Sequence, residues 1–280
     1  MVTSNDAGLS VPDWPTSFGS LYRMPPMIGG VKFEHGHRMF AEFIGLLTIA
    51  LAVWTTRADR RPWMRKLGFA ALATVIIQGI LGGLTVLNGL PPAISTAHAA
   101  VGQAFFCIAV AIALFTGRRR SAEEPRLQLD LRRPALVSLA WLSVAVIYLQ
   151  LILGGMFRHH GMRLLPHLVT AVAVTVLTLW TVTRVLSRYG QIESLRRPAL
   201  VLLLLLITQL CLGFLAYLTR VVWNPNAAQP TALMVGVTVA HVSVGALVLA
   251  TAVVLAIQVV RYVPLVREET VQGSEGVVPA

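Results

Sequence analysis

Seven histidines punctuate the 280-residue sequence, and four of them, His37, His98, His167 and His241, stand near one end of four different apolar runs. A single His at such a place reads as an interfacial residue or a helix cap. Four in phase read differently, because a polar side chain at membrane depth is costly and usually faces a partner, a cavity or a cofactor. Zinc accepts His, but a closed zinc site collects four ligands around one ion and often includes thiolates or carboxylates. The two cysteines, Cys107 and Cys211, fall well inside apolar runs and read as small buried hydrophobes. Pairs of imidazoles from facing helices can instead bind a planar iron macrocycle, one nitrogen above and one below. Four equivalent His allow two such sites.

One of the four has an acidic neighbour. In Glu34-His35-Gly36-His37-Arg38 a carboxylate precedes His37 by three residues, close to one turn if the helix begins early. It reads either as a solvated acid at a helix N-terminus or as a group that takes a proton, steadies a cation or orients an imidazole. No matching acid precedes His98, His167 or His241. Two sites built on these His are therefore chemically unequal. His35 is the second choice in its cluster, and His159 and His160, with Arg158 and Arg163, fall in a loop. Arg38 and Arg158 suit the carboxylates of a macrocycle, since guanidinium and carboxylate pair well.

The elements that must position these residues are membrane helices. The chain is 56% hydrophobic and 12% charged, against about 25% charged in an average soluble domain, which disfavours a soluble globule. Disorder and disulfide scaffolds fail too, because the chain is too apolar for the first and two Cys cannot staple it as the second. The apolar runs are 38–56, 67–87, 97–116, 135–155, 165–183, 198–218 and 235–260. Each is long enough to cross a bilayer as a helix, so an all-α bundle of seven transmembrane helices is expected. Residues 1–37 hold no such run, which predicts no cleavable signal peptide and no earlier helix in the chain as it stands.

A net charge of +11 could suggest nucleic acid, but the basic residues lie in short clusters between apolar runs and no nucleic-acid partner is expected. Arg57 to Lys66, Arg118 to Arg133, Arg184 to Arg197, and Arg261 with Arg267 hold most of the 23 Lys and Arg. These fall in alternate loops. The positive-inside rule makes those loops cytoplasmic, the N-terminus external and the C-terminus cytoplasmic. The expected layout is an external loop over 1–37, an N-terminal half over 38–116, a cytoplasmic linker over 117–134, a C-terminal half over 135–260 and a cytoplasmic tail over 261–280. Residues 8–26, with Trp14 and Tyr22, read as an ordered interfacial loop.

An internal repeat ties the even helices to the histidines. The second run ends in Gln78-Gly79-Ile80-Leu81-Gly82-Gly83 and the fourth in Gln150-Leu151-Ile152-Leu153-Gly154-Gly155, with a weaker echo, Gln209-Leu210-Cys211-Leu212-Gly213, in the sixth. Each precedes a short loop and a His-bearing helix. Small residues let helices, or a helix and a flat ligand, approach closely.

These residues together resemble the haem A synthase family. The matching elements are Gly8-Leu9-Ser10 to Asp13-Trp14-Pro15, Glu34-His35-Gly36-His37-Arg38, Gln78 through Gly83 before His98, Gln150 through Gly155 before His167, and His241 in the last helix. The resemblance spans almost the whole chain. It implies an eight-helix pattern of two related four-helix halves, with the four His as axial iron ligands in two pairs. His37 and His98 would serve the N-terminal half, which holds the substrate haem O, and His167 and His241 would bind haem B in the C-terminal half. Glu34 matches the family acid beside the substrate site. The implied reaction oxidises the C8 methyl of haem O to the formyl of haem A by successive hydroxylations and loss of water. The implied partners are the enzyme that makes haem O, the cytochrome oxidase assembly machinery, an unidentified electron acceptor and membrane lipid, in a bacterial inner membrane.

Two departures stand out. The family pattern has a helix before the Gly-Leu-Ser segment, whereas this sequence starts at Met1, almost at that segment. Some members also carry an external cysteine pair, where Val11 and Ser17 occupy that neighbourhood here, so no thiol relay is expected in this loop. Two other readings compete. A di-haem electron-transfer protein of the cytochrome b kind would share the paired His but need no Glu34. A small-solute transporter would explain repeated helices and Gly interruptions but not the four His.

Overall fold

A computed structural model describes residues 1–117, 130, 132–224, 226–227 and 229–263. Seven helices carry the fold: α1 (Val31–Ala58), α2 (Pro62–Leu87), α3 (Pro92–Thr116), α4 (Leu136–Arg158), α5 (Leu165–Tyr189), α6 (Glu193–Tyr217) and α7 (Ala232–Tyr262). All seven are long and apolar enough to cross a membrane, so the chain is a multi-pass, all-α membrane bundle. A bilayer has no water to satisfy backbone groups, so long apolar runs close their own hydrogen bonds as helices. Hydroxyls inside them do the same, Thr48 donating to the carbonyl of Ile44 and Thr170 to that of Pro166. Pro62 and Pro92 open α2 and α3, where a missing N–H costs no helix bond.

The helices outrun their apolar runs. The largest extension is at α1, which starts at Val31 where hydrophobicity alone puts the boundary at 38, so Glu34, His37 and Arg38 share one helix. The N-terminal segment thus ends at Gly30. At the other end α6 passes into a π-helical turn, Leu218–Val222, which carries Arg220. Most of the expected linker, 118–129 and 131, and the tail from 264 lie outside the described residues.

The two parts of the bundle pack differently. Helices α4, α5, α6 and α7 close a ring, each against its two neighbours, around a core that includes Leu136, Val185, Leu202 and Leu255. Polar ties reinforce it. Ser143 and Thr181 share a buried hydroxyl hydrogen bond of 2.9 Å between α4 and α5, and Arg184 pairs with Asp130 at 2.9 Å. The first three helices form a row, α1 along α2 and α2 along α3, with a small core of Met64, Ala71 and Ile112. Helix α3 joins the two parts by packing on α4 and α7, where the Tyr148 hydroxyl donates to the carbonyl of Ala100 at 3.1 Å.

Candidate functional site

The four histidines of the odd helices meet in two pairs. His37 on α1 faces His98 on α3 with ring centroids 6.2 Å apart, and His167 on α5 faces His241 on α7 at 6.5 Å. The pairing does not follow from equal depth along the helices. His167 is the third residue of α5 whereas His241 is the tenth of α7, because α7 starts farther before its His. Pairing is decided by how the helices are staggered in the bundle.

The repeat on the even helices turns out to be an interlock. A Cβ at Gly82 would meet Cε1 of His98 at 3.2 Å, one at Gly154 would meet His167 at 2.9 Å, and one at Gly213 would meet His241 at 3.0 Å. The missing side chain makes room for an imidazole each time. The glutamine one turn earlier reaches the other way: Nε2 of Gln78, Gln150 and Gln209 lies 3.4 Å from Nε2 of His98, His167 and His241 respectively. Gln78 and Gln209 in turn rest on glycines of the His helices, where a Cβ at Gly102 or Gly245 would sit 2.9 or 3.1 Å from the amide nitrogen. His98 also has its tautomer set, since Nδ1 lies 3.1 Å from the carbonyl of Gln78 and donates to it, leaving the Nε2 lone pair for a ligand.

Polar atoms are left unpaired in these pockets. Oε1 of Gln78, Gln150 and Gln209 and Nδ1 of His167 and His241 are buried without a hydrogen-bond partner. Among the described residues no three His, Cys, Asp or Glu gather as a closed metal cage would require. The pairs suit a ligand held from two opposite sides. Two metal–nitrogen bonds of about 2 Å, with each ring centre roughly 1 Å behind its nitrogen, set trans imidazole centroids about 6 Å apart. Both pairs have that spacing, so the residues present fit an iron macrocycle at each.

Glu34 is buried and doubly engaged. Oε1 accepts from Nη2 of Arg38 at 2.7 Å and Oε2 from the Val11 amide at 2.9 Å. Arg38 completes a clamp: Nη1 donates to the carbonyls of Asp13 and Thr16 and Nη2 also to that of Val11. Both terminal nitrogens of Arg38 therefore hold the N-terminal loop against α1. Asp13 folds that loop from within, accepting from the Thr16 hydroxyl and from the amides of Phe18 and Gly19. The Thr16 hydrogen bond above all, with the Gly19 and Phe18 amides, holds the Asp13 carboxyl down to about 2. Next along the loop, the Trp14 ring occupies the space a side chain at Gly83 would fill. The loop is ordered, as its composition predicts, and it covers the start of α1 and the end of α2.

Arg158 ends α4 and donates to the Ser4 hydroxyl at 2.8 Å. His159 caps α4 half-buried, its imidazole held below the usual histidine range by burial and by the charge of Arg158, while His160 is exposed with φ of 60°. His35 hydrogen-bonds Ser17 at 3.0 Å. Cys107 is half-buried, but Cys211 is exposed on the outside of α6, so only the first lies inside the bundle. Arg220 and the Gln–His contacts were not legible as site features, although the Gln-x-x-x-Gly repeat was the signal for the latter.

The comparisons with known proteins agree with this architecture. The sequence model of the COX15-CtaA family, described as cytochrome oxidase assembly protein, matches residues 31–165. A protein of Symbiobacterium thermophilum named heme A synthase is 29% identical over 255 residues, 78% of this chain and 81% of its own length. Another so named, from an Exiguobacterium species, is 30% identical over 164 residues, 57% of this chain and 52% of its own length. A third, from Alkalihalophilus pseudofirmus, is 34% identical over 86 residues, 30% of this chain and 29% of its own. No solved structure matches the chain. A seven-helix membrane bundle with two histidine pairs is thus similar to the COX15-CtaA, haem A synthase family, over residues 31–165 by the family model and over most of its length by the Symbiobacterium relative.

Proposed function

We propose that the chain is a haem A synthase that oxidises the C8 methyl of haem O to the formyl group of haem A. The observation that carries the reading is the pair of His–His spacings, 6.2 and 6.5 Å, on a bundle that the family model matches over residues 31–165. His37 and His98 would hold the substrate haem O, and His167 and His241 would hold haem B. When bound, haem B supplies a redox-active iron. The two pairs are unequal in a way that suits one exchangeable and one resident macrocycle. His37 is exposed on α1, which packs along α2, whereas His167 and His241 are half-buried inside the closed ring of α4 to α7.

The chain's own residues have distinct tasks in this reading. The Gln–Gly interlock aims the imidazoles of His98, His167 and His241. Glu34, one turn before His37, takes protons released as the methyl is oxidised, and Arg38 with the Val11 amide fixes its carboxylate. The loop from Val11 to Gly19 and the Trp14 ring on Gly83 restrict water at the external end. Arg158 would pair with the carboxylates of haem B. In this balance one water supplies the formyl oxygen, four protons are released and four electrons leave to a separate electron acceptor. With the Arg-rich loops on the cytoplasmic face, both pairs lie toward the external side of a bacterial inner membrane, where the product reaches cytochrome oxidase assembly.

Pigment extraction and mass identification after co-expression with a haem O source tests this, wild type against Glu34→Ala. Haem A in the wild type, with haem O or a hydroxylated intermediate accumulating in the variant, is the expected result. Unmodified haem B alone in both, at two per chain, would overturn the synthase in favour of an electron-transfer protein. Absence of haem from both would overturn the haem reading itself.

A further inference from the structure

The external end of the α4–α7 ring carries two guanidinium groups that the fold brings together. Arg158 stands four residues beyond Gly154 and Arg220 seven beyond Gly213, so each lies one or two turns external to a histidine-contacting glycine and near its face. Arg158 stands over the glycine that meets His167 and Arg220 over the glycine that meets His241, so the two guanidinium groups flank the external end of one histidine pair. Arg158 has a neutral partner, the Ser4 hydroxyl, and Nε of Arg220 is buried with no partner. Among the described residues neither forms an ion pair, and the nearest acid acting on Arg158, Asp6, is itself exposed.

Two partly buried cations without a counter-charge are unfavourable unless an anion joins them. Planar guanidinium groups are suited to carboxylates, which they grip through two parallel N–H donors. The corresponding positions beyond Gly82 on α2 are Val86 and Gly89, so the N-terminal part has no equivalent. Its own candidate cation, Arg38, has both terminal nitrogens on Glu34 and loop carbonyls.

We propose that Arg158 and Arg220 form a two-guanidinium site that binds the carboxylates of the macrocycle held by His167 and His241, and that this site makes that macrocycle the retained one. The inference rests on the haem reading above and adds Arg220 to it. The same donors would accept a lipid phosphate, which the experiment separates from a propionate. In His37→Ala/His98→Ala protein, so that only the second pair binds, haem B and its dimethyl ester are titrated while the low-spin bis-histidine spectrum is followed. Esterification is expected to weaken binding about ten- to a hundredfold, the range for charged hydrogen bonds. Arg220→Gln, and separately Arg158→Gln, should weaken the free acid similarly and leave the ester nearly unchanged.

Equal affinity for acid and ester would overturn the proposal, and if Arg220→Gln then also lost co-purifying anionic lipid, the site would be a phosphate site. Equal weakening of acid and ester by Arg220→Gln would overturn it as well, assigning Arg220 to packing alone. If neither variant folds, the acid and ester comparison on the unsubstituted arginines still decides. No low-spin spectrum with either ligand would overturn the haem reading together with this inference, a result distinct from the others.

Discussion

Gly154 and His167 are in contact across the α4–α5 interface, so close that a Cβ on the glycine would stand 2.9 Å from Cε1 of the imidazole. The same relationship joins Gly82 to His98 and Gly213 to His241. Each histidine's rotamer is thus set by a side chain that is missing from the neighbouring helix.

Replacing these glycines is expected to push the imidazole off its axis. Gly154→Ala and Gly213→Ala should each lower haem affinity at the second pair by about tenfold or more, since overpacking costs roughly 1–3 kcal/mol. Gly79→Ala is the control, because nothing lies within 4 Å of a Cβ there. Haem content and the low-spin spectrum of the three variants check this; equal loss in all three would remove the interlock from the explanation.

Arg38 holds the N-terminal loop through three carbonyls while neutralising buried Glu34. Arg38→Ala leaves a buried carboxylate without its cation, and the expected local destabilisation is about 3 kcal/mol or more. Arg38→Lys should restore little, as one ammonium cannot reproduce the forked donors. Hydrogen exchange at the amides of Val11, Phe18 and Gly19 should accelerate in both variants, ahead of any change in the α4–α7 core.

Acid should open the same loop from another point. The Asp13 carboxyl is held from its ordinary 3.8 down to about 2 by the Thr16 hydroxyl and the Gly19 and Phe18 amides. Its contribution is therefore present above about pH 4 and is lost as pH falls through about 2. Trp14 fluorescence should report this window, and Asp13→Asn should flatten the response.

On the opposite face, Asp130 accepts two hydrogen bonds from Arg184 at 2.9 Å each and also the Leu136 amide at the start of α4. Arg184 donates as well to the carbonyl of Pro134. Arg184→Met should destabilise by about 3–5 kcal/mol, because it strands a buried carboxylate. Adding Asp130→Asn should recover part of the loss. Thermal unfolding of the single and double variants in detergent checks the sign of that coupling.

Much of the fold was legible because it is local. Seven apolar runs predict seven helices, since length and hydrophobicity are enough to decide a crossing in a medium that cannot hydrogen-bond. The Gln-x-x-x-Gly repeat was visible as a spacing, and the four histidines as polar interruptions. The helix ends were less so. At α1 the polar stretch Val31 to His37 continues the helix, and its side chains are satisfied by the loop, a partner that hydropathy does not register.

The sequence by itself determined the class of residue available at each helix entrance and the membrane helices that carry them. Tertiary structure alone decided who faces whom: His167 with His241 despite unequal depth, Gln78 on Gly102, Arg38 on three carbonyls far from it in sequence, and Arg158 on the Ser4 hydroxyl. The reason is physical. Periodicity records which stripe of a helix is apolar, but the stagger and rotation of one helix against another come from the sum of many small packing contacts, and those exist only once the bundle has formed.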